Sequence, residues 1–540
     1  MPVLPAAVGL LAPTGGTQTV PPFPPLLLAL TFAALVVALT ALARRLPVPT
    51  PILQVLAGVL VALMPGVEFP ELEPELVFFV FLPPILWSAA FFTSLRDFRA
   101  NLRPIGFLAI GLVIATTAAV ASVARMLLPG IPWAVAVALG AIVSPPDAVA
   151  ATAIVRRLPV PRRVITILEG ESLVNDASAL VLYRTAVAAA VTGVFSWGES
   201  IVRFFIDGGV GAFVGLAIGW LLVALMRRTR DTLAEVLLTL TGPYLAWVVA
   251  ESLHVSAVLA CVAGGLYLRQ HLPTIVSPMS RIQGKAVWDL FIFLLNALIF
   301  LILGAEFGML VRAVPAGSLG ALARTGAVIG VVAIVVRVAW VPVSTLLPRA
   351  LSAEVRRRSP LPPWRPVALV SWTSMRGIVS LAAALSLPRA LADGTPFPFR
   401  TEIILITLCV ILMTLVVQGL TLAPLIRWMA FAPEHAHVDE ARLARREALR
   451  RAAETLAELA REPAVDRHDV DWLRAELLER LRDTERPGGS EAGRRRLRLA
   501  LIDSERRMLV RLRNEDAISD EVLRELELEL DLAAIRAGGE

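Results

Sequence analysis

Lysine is almost absent from this chain: among 51 Lys and Arg residues in 540, Lys285 is the only lysine, a bias that points to an arginine-rich bacterial genome. Cysteine is scarce as well. Cys261 and Cys409 are the two, both in apolar runs, which argues against a disulfide framework. Charged residues make up 18% of the chain against 56% hydrophobic ones, and the mean hydropathy is +0.71. Those values exclude a large soluble domain and describe a polytopic membrane protein embedded in a lipid bilayer. The formal net charge of +6 is no nucleic-acid signature, because the arginines sit mainly in short loops and in the tail. The opening residues lack a basic leader and a small-residue cleavage site, so residues 1–25 read as an extracellular segment ahead of a retained first span. A Gly-x-Gly-Asp sequence is missing too, which counts against an intramembrane aspartyl protease.

What is present is apolar sequence in blocks. A spanning window gives about thirteen segments between residues 26 and 430, so the fold class is an all-α polytopic membrane protein. Arginines cluster in every second loop, as at Arg44 and Arg45, Arg96, Arg99 and Arg103, Arg156 to Arg163, Arg227 and Arg228, and Arg356 to Arg358. The intervening loops are acidic or nearly neutral, as at Glu68, Glu71, Glu73 and Glu75. The positive-inside rule then puts the N-terminus outside and the C-terminus in the cytoplasm of a bacterial inner membrane. Residues 431–540 change composition to Arg, Glu, Leu and Ala with helical spacing, broken at Pro487-Gly488-Gly489. They read as a helical cytoplasmic tail, a small bundle or a dimerising appendage.

The most informative run is Gly170-Glu171-Ser172-Leu173-Val174-Asn175-Asp176, inside an otherwise apolar stretch long enough to span a bilayer. An ionisable residue at the bilayer centre costs roughly 2.5 to 3.5 kcal/mol on insertion scales, so two within six positions point to ion or proton handling. If the hydrocarbon begins near Ile165, Asp176 lies about 16 Å deep, close to the midplane, where secondary transporters bind their ions. At about 100° per residue Glu171, Ser172, Asn175 and Asp176 form one polar patch about 140° wide. Carboxylate and hydroxyl oxygens suit a hard cation, and one carboxylate that holds either a proton or a metal ion suffices for exchange. Asp176, Glu171 and Ser172 are accordingly the expected ligands of such a cation, which the family resemblance given below implies to be Na+. A cation channel would more naturally present a ring of carbonyls than titratable carboxylates.

Two further sites interrupt apolar helices. Ser144-Pro145-Pro146-Asp147 removes two amide donors in succession, so the fifth span should break there, with Asp147 placed to cap the resuming half. In the twelfth span Ser371, Thr373, Ser374, Arg376 and Gly377 lie between Pro366 and Pro388, and a buried arginine needs a counter-charge or free carbonyls, both of which a broken helix offers. Spans five and twelve occupy equivalent positions if spans one to six and eight to thirteen are inverted repeats, so the broken helices should cross near the midplane. Asp147 and Arg376 would then offset the helix ends that face them.

Together with Leu82-Pro83-Pro84-Ile85-Leu86, Asn296-Ala297-Leu298-Ile299-Phe300, Met375-Arg376-Gly377 and Gln418-Gly419-Leu420-Thr421, these motifs make the chain resemble a bacterial sodium/proton exchanger of the monovalent cation:proton antiporter-1 family over about residues 25–430. The resemblance implies a homodimer that works by alternating access, without a cofactor beyond the transported Na+ and H+ and without enzymatic activity, and a role in pH homeostasis. A K+/H+ antiporter of the same fold is the alternative. It implies that Asp176 binds the ion and the proton, with Asn175 beside it in place of the second aspartate of electrogenic relatives, which makes exchange electroneutral. Glu171 and Ser172 are implied as further site residues, Asp147 as the crossover residue and Arg376 as a structural charge. Many relatives carry a threonine where this chain has Pro146, leaving only the Pro146 carbonyl to serve. They often also carry an acid where this chain reads Trp87-Ser88-Ala89, so Glu171 is the expected partner of Arg376. Glu251 and Arg337 are expected to be structural charges.

Overall fold

A chain this apolar must satisfy its backbone without water, and a helix does so within one segment. The computed structural model describes residues 25–536 apart from 47, 65–73, 157, 194–196, 230, 314–315, 359–360, 392–393, 432–434, 463–465, 486–490, 516 and 518. The opening segment, Glu68, Glu71, Glu73 and Pro487-Gly488-Gly489 lie outside the described residues. Among the described residues the architecture is all-helical, with one isolated bridge between Ala390 and Pro396. The chain divides into two compact units, Met1–Pro433 and Glu434–Glu540.

In the first unit the apolar windows fall on helices. Ten are single: Pro25–Arg45, Thr50–Ala62, Pro74–Phe92, Arg162–Thr192, Trp197–Met226, Thr232–Ser252, Ala257–Ile275, Pro278–Ala313, Ala316–Leu351 and Arg400–Met429. Another runs from Leu102 to Leu127 and contains a π-helical stretch, Phe107–Leu112. Two windows are broken, into Trp133–Val143 with Ala148–Val155 and into Trp364–Trp372 with Ile378–Leu385. Six of the described helices are long and apolar enough to cross a membrane by length and composition alone. The acidic helix Arg162–Thr192 has 31 residues but is diluted by its charges, and the halves of the broken pairs are too short. It ends at Gly193, whose φ of 71° is a left-handed conformation suited to glycine.

Small residues set the closest helix approaches, as expected where lipid offers no hydrophobic drive to association. Gly211, Gly215 and Gly219 recur every fourth residue on Trp197–Met226, and a methyl group at Gly215 would overlap the Ala260 carbonyl of the facing helix. Gly58 and Gly304 do the same for Thr50–Ala62 against Pro278–Ala313, meeting the carbonyls of Leu301 and Val55. Ala257–Ile275 also seats Trp87 against Gly264 and Gly265, which fixes the face of Pro74–Phe92 that walls the cavity described below.

The second unit contains His435–Leu459, Arg467–Glu485, Glu491–Asn514 and Asp520–Arg536. Val470 and Leu523 are buried, but Trp472, Leu473, Leu478, Leu497, Leu501 and Met508 of the apolar stripe stay exposed in the single chain.

Gly304→Leu is expected to cost at least about 1 to 3 kcal/mol through overpacking and to lower the melting temperature of the detergent-solubilised protein. Gly106→Ala, where nothing lies within 4 Å of the new methyl, should leave it unchanged.

Candidate functional site

The two helix breaks satisfy one another. The Asp147 amide donates to the Met375 carbonyl at 2.6 Å, and Arg376 Nε donates to the Val143 carbonyl at 3.0 Å, at the C-terminal end of the first half-helix. Arg376 also donates to the Ser374 carbonyl and hydroxyl, while its amide is held by Thr414 Oγ1 at 3.1 Å. At the opposite end of the crossing the Asp147 carboxylate lies against Gly377, the N-cap of Ile378–Leu385, so closely that a methyl group there would overlap Oδ2. The guanidinium thus meets a negative helix end and the carboxylate a positive one. Asn175 joins the knot from the acidic helix: its Nδ2 donates to the Pro146 carbonyl at 3.1 Å.

Half of the acidic patch faces this knot and half faces away. Glu171 points to Arg337 of Ala316–Leu351, which binds both carboxylate oxygens, Nη2 donating to Oε2 at 2.8 Å and Nη1 to Oε1. Both side chains are 1% exposed. Arg337 Nε also donates to the Val370 carbonyl at 3.0 Å, so one guanidinium ties the acidic helix to the second broken pair. Glu171 is thus paired with Arg337 and does not line the cavity, and although Arg376 lies within its electrostatic reach, the hydrogen bonds of that guanidinium go to the Val143 and Ser374 oxygens. The expected set of Asp176, Glu171 and Ser172 is not assembled, and no cluster of three or more His, Cys, Asp or Glu side chains is placed for a metal among the described residues. Glu251 pairs instead with Arg184 at 3.3 Å near the surface.

Ser172 and Asp176 line a cavity of about 300 Å³, together with Asp147, Gly377, Ser380 and Asn296. Asp176 is 7% exposed and, among the described residues, makes no hydrogen bond or ion pair. Asp147 lies within its electrostatic reach. The rim carries the Arg156–Glu169 ion pair at 2.6 Å and Asp289, which is paired with Lys285. Glu169, Asp176 and Tyr183 recur every seven residues on one helix face, about 10 Å apart. Beyond Asp176, Tyr183 Oη is 2.9 Å from Ser386 Oγ, and Arg400 caps the Leu385 and Leu387 carbonyls at 3.1 and 3.0 Å. Neither Tyr183 nor Ser386 lines the cavity.

Sequence reasoning did not single out Glu169 and Ser380. Extending the helical wheel one heptad back from Asp176 finds Glu169. Ser380 is signalled only as the polar residue in the apolar half-helix that follows Gly377.

The sodium/hydrogen exchanger transmembrane family model matches residues 31–428. An uncharacterized Na(+)/H(+) exchanger of Mycobacterium bovis is 37% identical over 517 residues, covering 93% of this chain and 94% of that protein. A sodium, potassium, lithium and rubidium/H(+) antiporter of Bacillus pumilus is 32% identical over 515 residues, 92% of this chain and 76% of that protein. Among solved structures, the sodium proton antiporter MjNhaP1 from Methanocaldococcus jannaschii has the same fold, with a TM-score of 0.58 at 20% identity over 76% of this chain and 100% of that chain.

Arg337→Ala leaves the Glu171 charge buried without its partner, and is expected to cost about 3 to 5 kcal/mol, read as a lower melting temperature of the solubilised protein. Adding Glu171→Ala should recover part of that loss, since the two effects belong to one ion pair and do not add.

Proposed function

The chain belongs to the sodium/hydrogen exchanger family and is a multi-pass cation/proton antiporter, and we propose that Asp176 is the group at which a monovalent cation, sodium foremost, exchanges for a proton. The observation that carries this reading is the contrast between two carboxylates on one helix. Glu171 is closed off by a guanidinium, whereas Asp176 stands at the cavity without a fixed counter-charge. A carboxylate in that position needs either a proton or a cation, and competition between the two couples their opposite movements.

Ser172 supplies a hydroxyl beside Asp176. Asp147 and the Pro146 carbonyl serve the site through the crossover, and Asn175 locks that crossover to the acidic helix. Arg376 holds the break and carries no ion, since guanidinium keeps its proton at working pH. With Asn175 in place of a second carboxylate, one proton leaves for each monovalent cation bound and exchange is electroneutral.

The finer architecture belongs to the same proposal: thirteen spans over residues 26–430, two inverted six-helix repeats with crossed broken helices, an extracellular segment at 1–25 and a cytoplasmic helical tail at 431–540. The arginine distribution supports a bacterial inner-membrane protein with its N-terminus outside. On that orientation the rim at Arg156 and Lys285 faces the cytoplasm and the cavity is open inward. The family favours a homodimer in which the ion-carrying core moves against a dimerisation domain, serving pH homeostasis. Sodium is the ion common to the names of the Mycobacterium and Bacillus relatives, and the Bacillus name adds potassium, lithium and rubidium.

Asp176→Asn keeps the shape but cannot trade a proton, and is expected to abolish sodium-dependent proton movement in proteoliposomes carrying a pH dye while the protein remains folded. Robust exchange by that variant would remove Asp176 from the mechanism. On solid-supported membranes the wild-type protein should give no steady transport current that reverses with membrane potential. Such a current would require a second carried charge and refute electroneutrality.

A further inference from the structure

A serine in an apolar helix ordinarily returns its hydroxyl to a carbonyl one turn back. Ser88, Ser178, Ser371 and Ser386 all do so here, bonding to Ile85, Val174, Val367 and Ala383. Ser380 does not. It is the third residue of Ile378–Leu385, so the positions one turn back fall at the break, where the Gly377 carbonyl accepts the Leu381 amide. Its side chain is 1% exposed and its Oγ has no hydrogen-bond partner, yet it lines the same cavity as Asp176, Asp147 and Ser172. A buried hydroxyl left unmatched is destabilising, so its presence in an alanine-rich half-helix at the cavity points to an occupant that uses it.

The chemistry of the surroundings narrows that occupant. A helix N-terminus by itself repels a cation, but here the Asp147 carboxylate lies on Gly377 and offsets the positive end. Among the residues that line the cavity, the acidic helix brings the Asp176 carboxylate and the Ser172 hydroxyl, and the half-helix brings the Ser380 hydroxyl. Hard monovalent cations take such neutral and anionic oxygens together. We propose that Ser380 Oγ is a ligand of the transported cation, completing from the second broken pair a coordination shell begun by Asp176 and Ser172. The proposal rests on the reading of Asp176 as the exchange site. It distinguishes the two cargoes, since a cation bridges the acidic helix and the half-helix, whereas a proton on Asp176 has no need of Ser380.

The test is sodium dependence measured with two readouts. Ser380→Ala is expected to raise the apparent KM for sodium about tenfold, the loss of one oxygen ligand to a charged centre, while keeping the maximal rate within about twofold. The rise in melting temperature that sodium chloride produces in the solubilised protein should shrink, with the melting temperature in sodium-free choline chloride unchanged. Ser380→Thr, which keeps the hydroxyl, should retain the wild-type KM. Ser380→Cys, which substitutes a soft sulfur, should behave as alanine does, and it serves as the test if the alanine variant does not fold. Wild-type KM and sodium-induced stabilisation in Ser380→Ala or Ser380→Cys would overturn the proposal. The parallel variant Asp176→Asn separates the two readings. If it is inactive while Ser380→Ala is normal, only the Ser380 ligand is lost; if it still transports, the exchange site itself is elsewhere.

Discussion

A helix that stops inside hydrocarbon leaves amides and carbonyls that only protein can satisfy, and this constraint organises the centre of the molecule. Two such stops cross here, and each supplies what the other lacks. The Val143 carbonyl is met by Arg376, the Met375 carbonyl by the Asp147 amide and the Pro146 carbonyl by Asn175. Because these bonds run between the two broken pairs and the acidic helix, the three elements hold a common position. The glycine at 377 belongs to the same constraint, since any side chain there would displace the Asp147 carboxylate from the helix end it offsets.

The acidic helix places two carboxylates in opposite circumstances within little more than one turn. Glu171 and Arg337 form a bidentate pair, and Arg337 also holds the Val370 carbonyl, linking Ala316–Leu351, the acidic helix and the half-helix Trp364–Trp372. Asp176 is left beside the cavity. The Glu171 charge is thus neutralised by Arg337, while no guanidinium is bonded to Asp176 among the described residues.

Much of this was legible in the sequence. The apolar windows fall on helices because length and hydropathy are direct consequences of bilayer thickness, and the breaks at Pro145-Pro146 and near Gly377 follow from lost donors and backbone freedom. The orientation of the acidic patch was not legible. Helical spacing fixes the angles between Glu171, Ser172, Asn175 and Asp176 but not which way the helix faces, and the partner that decides it, Arg337, lies 166 residues away. Glu171, expected beside Asp176 as a ligand, is paired with Arg337 and does not line the cavity. Ser380 escaped for a different reason, since its significance comes from a hydrogen bond it does not make. The leucine periodicity of the tail was readable, yet period alone says nothing of what covers a stripe, and much of it stays exposed in the single chain.

The hydrogen bond between Tyr183 and Ser386 lies two helical turns past Asp176, outside the cavity, with Arg400 sealing the carbonyls beside it. A pore open to both faces at once would let protons run down their gradient and short-circuit the voltage on which a cell draws for its work. An antiporter must therefore keep its carboxylate within reach of no more than one side at a time. The Tyr183, Ser386 and Arg400 contacts lie on the side of Asp176 away from the cavity rim, where a barrier that spares the energy store of the whole cell would have to stand.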